Sequence, residues 1–232
     1  MIPPTRRAVG RRHAILNTPF FQSGFLLLAL LAASSLFAGV PADSPNITYR
    51  KIFKSSYPEY VEIKVNQNGS ATYDIRQLDE GPDPVAFEIN APLVQRIFEL
   101  AAKLHNFQGI ELDLHRRIAN LGEKTFQYTR GSETHEVKFN YTLDESATQL
   151  LNIFEGLARQ ESDLSNLKRV MRYDPLGVND AVLQIETDYN NKSFPEPERL
   201  LPALDQVSAD DKFIDIARQR ARTLASRIRN SH

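Results

Sequence analysis

The chain has 232 residues, with 28 Lys and Arg against 29 Asp and Glu, and neither cysteine nor tryptophan. Without cysteine there can be no disulfide, no thiol catalysis, no Cys-ligated zinc and no lipid-modified N-terminal cysteine. The balanced charge excludes the strongly basic class that holds nucleic acid by phosphate neutralisation, and no nucleic-acid partner is expected.

In chain order, the first signal is an export pattern. Arg6, Arg7, Arg11 and Arg12 precede an uncharged run from Ala14 to Ala42, which contains the apolar block FLLLALLAASSLFA at residues 25–38. A basic segment, a short apolar segment and then small residues form a secretory signal. Val40-Pro41-Ala42 places cleavage after Ala42, with Ala38 as the alternative site. The other reading is an uncleaved inner-membrane anchor over residues 14–42, lengthened by Ile15, Leu16, Phe20 and Phe21 to the roughly 20 residues a span needs. Removal of the four arginines would leave 24 Lys and Arg against 29 Asp and Glu, a net charge of −5. A cysteine-free exported chain of this size suits a bacterial envelope, periplasmic or secreted. Sequons at Asn46, Asn68, Asn140 and Asn191 would matter only in a eukaryotic host.

Residues 47–89 alternate with a period of two, which marks a sheet with one buried and one wet face. The first strand is expected over residues 47–54. Val61, Ile63 and Val65 then alternate with Glu62 and Lys64, and Asn68-Gly69 is expected to form a two-residue hairpin turn. Ala71, Tyr73 and Ile75 form the next strand, and Val85, Phe87 and Ile89 a fourth. Asn90 caps a helix with Pro92 in its first turn, and Leu93, Val94, Ile97, Phe98, Leu100, Ala101 and Leu104 form its apolar stripe. His105-Asn106 ends it. Ile110, Leu112 and Leu114 alternate with Glu111, Asp113 and His115 as a further strand. A hairpin about Gly131-Ser132 sets Phe126 and Tyr128 across from Val137, Phe139 and Tyr141.

From Asp144 the pattern is helical. Ala147, Leu150, Leu151, Phe154, Leu157, Ala158, Leu164, Leu167 and Met171 recur at three- and four-residue steps, and Gly156 weakens that helix by about 1 kcal/mol relative to Ala. A break at residues 173–177 precedes a second helix with Val178, Val182, Ile185 and Tyr189. A short helix follows around Leu204. A last one is expected to start at Ser208, with Asp210 and Asp211 in its acidic first turn. The expected fold class is α+β: an antiparallel sheet of about six or seven strands covered by a helix, then a C-terminal set of about four helices. The expected organisation is a signal peptide or anchor at 1–42, sheet plus helix at 43–143, and a helical region at 144–232 packed on the sheet as one domain.

Residues 57–66 (YPEYVEIKVN), 69–73 (GSATY) and 122–128 (GEKTFQY) resemble exported bacterial proteins of unassigned function. The resemblance spans the sheet portion, and its motifs are strands and turns that bring no activity with them.

No G-x-S-x-G elbow, P-loop, G-x-G-x-x-G turn or H-E-x-x-H helix occurs, and the acidic turn at residues 79–83 lacks calcium-loop spacing. One constellation has the right chemistry. On a strand, Glu111, Asp113 and His115 would share one face and could hold a divalent metal or serve as acid and base, with His135 or His105 in support. The alternative is the wet side of an amphipathic strand. Arg218, Arg220, Arg222, Arg227 and Arg229 read as complements to a helix dipole and its acidic first turn. No cofactor is expected. The preferred function is a non-enzymatic exported domain that binds an envelope or extracellular protein, supported by a wet sheet face, with candidates for contact residues among Tyr49, Tyr60, Tyr128 and Tyr141. The alternatives are a metal-dependent or acid/base enzyme at Glu111, Asp113 and His115, and a membrane-tethered scaffold that meets the membrane only through its N-terminal segment.

Overall fold

A computed structural model describes residues 44–114 and 119–231. The signal or anchor segment and His115 therefore lie outside the described residues. Among the described residues, no helix is long and apolar enough to cross a membrane.

Alternating β-branched and aromatic residues build six strands: β1 (Asn46–Ile52), β2 (Tyr60–Asn66), β3 (Ser70–Arg76), β4 (Val85–Glu88), β5 (Glu123–Arg130) and β6 (Glu133–Phe139). They form one antiparallel sheet in the order β4-β3-β2-β1-β5-β6. Register makes two central rows across the sheet chemically uniform. Tyr73, Ile63, Tyr49, Phe126 and Val137 are successive partners in one inward row. The next row, on the opposite face, is Asp74, Glu62, Arg50, Thr125 and Lys138.

Two helices cover the inward face. Helix α1 (Ala91–Lys103) starts at Asn90, whose side chain accepts a hydrogen bond from the Leu93 amide at 2.9 Å. Helix α2 (Glu145–Tyr173) starts at Asp144, which accepts from the Ala147 amide at 2.8 Å. Both caps satisfy N–H groups that the first helical turn leaves without partners. Ala147, Leu150, Phe154 and Leu157 of α2 join Val94, Ile97 and Leu100 of α1 and the inward sheet rows in one apolar core. The ring of Tyr49 stacks on Phe154 at 5.4 Å.

The distal half of α2 belongs to a second core. Leu164, Leu167, Val170 and Met171 pack with α3 (Val178–Asn190), α4 (Leu201–Ala209) and α5 (Asp215–Arg229). The change from sheet-packing to helix-packing falls inside α2. Between the cores runs a polar belt. Gln160 Oε1 accepts from the Glu196 amide at 3.1 Å, Glu161 accepts from Arg199 Nε at 3.0 Å, and Glu196 Oε1 accepts from the Asn90 amide at 2.6 Å. Arg199 also donates to the Glu88 carbonyl. These bonds tie the helical set to the end of β4 and the start of α1.

Three local expectations are corrected. Residues 110–114 do not form a strand. They leave α1 through consecutive left-handed residues at His105, Asn106 and Phe107, with φ of 51°, 49° and 68°. The Asp113 carboxylate then takes the Asn140 and Tyr141 amides that a ladder would have used. The β2–β3 connection has three residues, 67–69, not two. Ala71 pairs with Val65, and only Gly69 is left-handed, with φ of 91°. That is a type I turn closed by a glycine bulge. Finally, α5 starts at Asp215, without a side-chain cap. Ser208 lies in the last turn of α4, where its hydroxyl donates to the Asp205 carbonyl, and Asp210 follows that helix.

Gly156 is a packing requirement. A Cβ there would meet the Ser193 carbonyl oxygen at 2.7 Å and Pro195 at 3.0 Å. Gly156→Ala gains about 1 kcal/mol of helix propensity but should lower stability by about 1–3 kcal/mol net through overpacking. Urea denaturation measures the outcome, and an unchanged or higher midpoint would show that the 193–195 segment yields at no cost.

Candidate interaction surface

The structure places Glu111 and Asp113 on an irregular segment, and His115 lies outside the described residues. Glu111 is exposed, and Asp113 is half-buried on an irregular segment anchored by buried Leu112. Asp113 Oδ1 accepts from the Asn140 amide at 3.0 Å and the Tyr141 amide at 3.3 Å. Beside this bond the Leu114 amide reaches the Tyr141 carbonyl at 3.3 Å. His135 pairs with Tyr128 near the Gly131 turn, and its Nε2 lies 2.7 Å from Glu133 Oε1. Asn140 is five residues further on, about 16 Å along an extended chain. Asp113 and His135 themselves therefore lie well apart along β6. Among the described residues, no group of three or more His, Cys, Asp or Glu is placed to hold a metal ion.

Of the four tyrosines, two belong to the core. Tyr49 is fully buried, with its hydroxyl donating to Glu155 Oε1 at 3.3 Å, and burial followed by that carboxylate holds its pKa well above the usual value. Tyr128 is buried in the same inward set. Tyr141 lies exposed beyond the end of β6. Tyr60 alone stands on the outward face of the sheet.

That outward face is ordered. Arg50 Nε and the Tyr60 hydroxyl both donate to Glu62 Oε2, at 2.9 and 2.8 Å. Arg76 Nε donates to Asp74 Oδ2 at 3.0 Å, and its guanidinium lies 4.3 Å from the centre of the Tyr60 ring. Asp74, Thr48 and Thr125 are buried among these larger neighbours. Burial and then the Glu62 contact raise the Tyr60 pKa, so the phenol stays protonated and donates. The helix contacts lie on the other face, with Phe154 against Tyr49 and Phe126, and Glu155 against Tyr49 and Lys51.

Two lysines break the alternation. Lys51 and Lys124 are partners in register on the inward side, at its rim. Lys51 pairs with Glu155 at 3.0 Å, while the buried Lys124 donates to the carbonyls of Leu121, Gly122 and Asn140 at 3.3, 3.3 and 2.9 Å. Burial, and then the charge of Lys51, lower its pKa. The arginines of α5 are also engaged. Arg218 pairs with Asp215, Arg220 and Arg227 with Glu186, and Arg229 with Asp205, while Arg222 donates to the Ser208 carbonyl. Their partners are thus α3, α4 and Asp215, not an acidic turn at Asp210 and Asp211.

The chain matches no protein-family model and no curated protein.

The role of Asp113 is testable without reference to a ligand. Asp113→Ala leaves the Asn140 and Tyr141 amides without this acceptor, and stability should fall by about 1–3 kcal/mol. Amide exchange at Asn140 and Tyr141 should rise first. Unchanged exchange at both positions would rule out this anchoring role.

Proposed function

We propose that the protein is an exported, non-enzymatic binding module that docks a partner protein on the outward face of its sheet. Export rests on the basic and apolar segments at residues 6–42. The observation that carries the docking surface is the linked set Arg50, Glu62, Tyr60, Arg76 and Asp74. On a wet face such contacts are worth only about 0.5–1 kcal/mol each, and their further effect is to fix the tyrosine in place. Pre-ordered Tyr and Arg side chains lose little further freedom on binding and are the residue types that anchor interfaces.

The charges on this face favour a protein partner. Arg50, Lys64, Arg76 and Lys138 are interspersed with Glu62, Asp74, Glu123 and Glu136 along the register. Nucleic acid or an anionic bilayer calls for a surplus of cations. A mixed surface instead selects a partner with a complementary pattern of both signs.

The test is cross-linked capture from an envelope extract with three forms of the chain: native, Tyr60→Ala/Arg76→Ala, and Leu176→Ser as a control on the distant α2–α3 corner. The open-face double variant should lose a reproducible partner by at least about tenfold, with its thermal unfolding still cooperative, and the control should keep it. Equal capture by all three forms removes the sheet face from the account. The captured chain should begin at Asp43. Recovery of an intact chain from washed membranes would replace the exported module by a tethered scaffold.

A further inference from the structure

Two aspartates meet in the seam between α2 and α3, and their surroundings differ. Asp188, near the C-terminal end of α3, is 3% exposed. Its Oδ1 accepts from Arg159 at 3.0 Å and its Oδ2 from Gln184 at 2.6 Å. Both oxygens are therefore occupied by donors, as an ionised carboxylate requires. Asp163, on α2, has a buried Oδ2 with no donor directed at it. A buried carboxylate oxygen without a donor is strongly disfavoured, whereas a carboxyl OH supplies its own donor. Asp163 lies one helical turn beyond Arg159, the residue that holds Asp188, so the acceptor on its side of the seam is Asp188. The geometry thus assigns the proton of the pair to Asp163.

We propose that Asp163 and Asp188 form a proton-operated latch between α2 and α3. With the proton in place, the Asp163 carboxyl donates a charge-assisted hydrogen bond to the Asp188 carboxylate and ties the helices together. When the proton leaves to water, two carboxylates face each other across the seam, and the C-terminal end of α3 loosens. The charged groups acting on Asp163 are Asp188 from α3, which opposes ionisation, and Arg159 from its own helix, which favours it. Burial is the largest influence, Asp188 the next, and together they push the Asp163 pKa up to about 7.

Loosening at this point has a structural route outward. The Asp188 carbonyl accepts from the Ser193 amide at 3.0 Å, and the chain continues within three residues to Glu196, which holds the start of α1. The latch therefore sits where the helical set is fastened to the sheet. The sign follows from the direction of the shift. Asp163 in the fold keeps a proton that the unfolded chain, near the ordinary value of 3.8, has released. Stability is therefore lost as pH rises from about 4 to about 7 and is constant above that.

The experiment is thermal unfolding of the full chain at pH 5 and pH 8 at constant ionic strength, for the native protein and for Asp163→Asn. The native midpoint should fall by about 5 °C between the two. The variant carries a permanent amide donor toward Asp188 and should show no such fall. Burial also raises the pKa of Glu196, so a fall retained in Asp163→Asn would place the effect outside the aspartate pair and overturn the latch. An equal native midpoint at the two pH values would do the same. Carboxyl-carbon NMR of the native chain gives a readout that does not depend on the variant. A side-chain resonance of Asp163 that titrates near 7 supports the latch, and one that titrates near 4 refutes it. At pH 8, amides at the end of α3 should exchange about tenfold faster in the native chain than in Asp163→Asn.

Discussion

Helix α2 works under a constraint that no other element shares: it must bury apolar side chains against a sheet along its first half and against three helices along its second. At 29 residues it is about 44 Å long, more than either core alone requires. A helix can serve two cores in sequence only if its buried side chains stay in phase across the junction. Leu150, Phe154 and Leu157, then Leu164, Leu167 and Met171, keep that phase at three- and four-residue steps on either side of a seven-residue interval. At the junction the buried residues become polar, Gln160 and Glu161, and each finds a partner from the segment that returns toward the sheet. Gly156 lets that returning segment approach the helix closely. The two cores are joined by a rigid rod and a set of hydrogen bonds, without a continuous apolar layer.

This arrangement leaves the outward face of the sheet free of described helix contacts. A six-stranded antiparallel sheet needs to bury only one face to be stable, and α1 with the first half of α2 does so. The opposite face can then carry chemistry chosen for other reasons. Half-buried Arg, Tyr, Glu and Asp side chains fixed to one another make a firmer surface than solvated lysines would. The α5 arginines show the contrasting case. They are as numerous, but all except Arg218, which pairs with Asp215 of its own helix, are directed at a neighbouring element, so their charge holds the helical set together.

Much of the fold is legible from period alone. Alternation at Val61, Ile63 and Val65 and at Ala71 and Tyr73 marks strands with one buried face, and Asn90-Ala91-Pro92 marks a helix start. Alternation was misleading at Ile110, Leu112 and Leu114. Leu112 is buried, as a strand would have it, but the Asp113 side chain replaces the ladder hydrogen bonds. A side chain that imitates a backbone partner leaves the hydrophobic pattern unchanged, so the period could not reveal it. The same limit affected Ser208 and Asp211, where a good capping pair lies at the end of one helix and before the start of the next. The open-face set was half legible. Parity places Arg50, Glu62 and Asp74 opposite Tyr49, Ile63 and Tyr73, but it does not say which strands are neighbours.

The sequence by itself determined which apolar residues face inward on most strands and helices, because their burial follows a period of two or 3.6 whatever the partner. It also determined that the chemistry available would be carboxylate, imidazole, amine and guanidinium, without thiol. The tertiary structure alone decided that β5 joins β1 while β4 lies at the far edge, and so put Asp74, Glu62, Arg50, Thr125 and Lys138 in one row. It alone brought Asp163 to Asp188 and Glu196 to Asn90. Contacts between residues far apart in the chain depend on strand order and helix register, and a local hydrophobic pattern specifies neither.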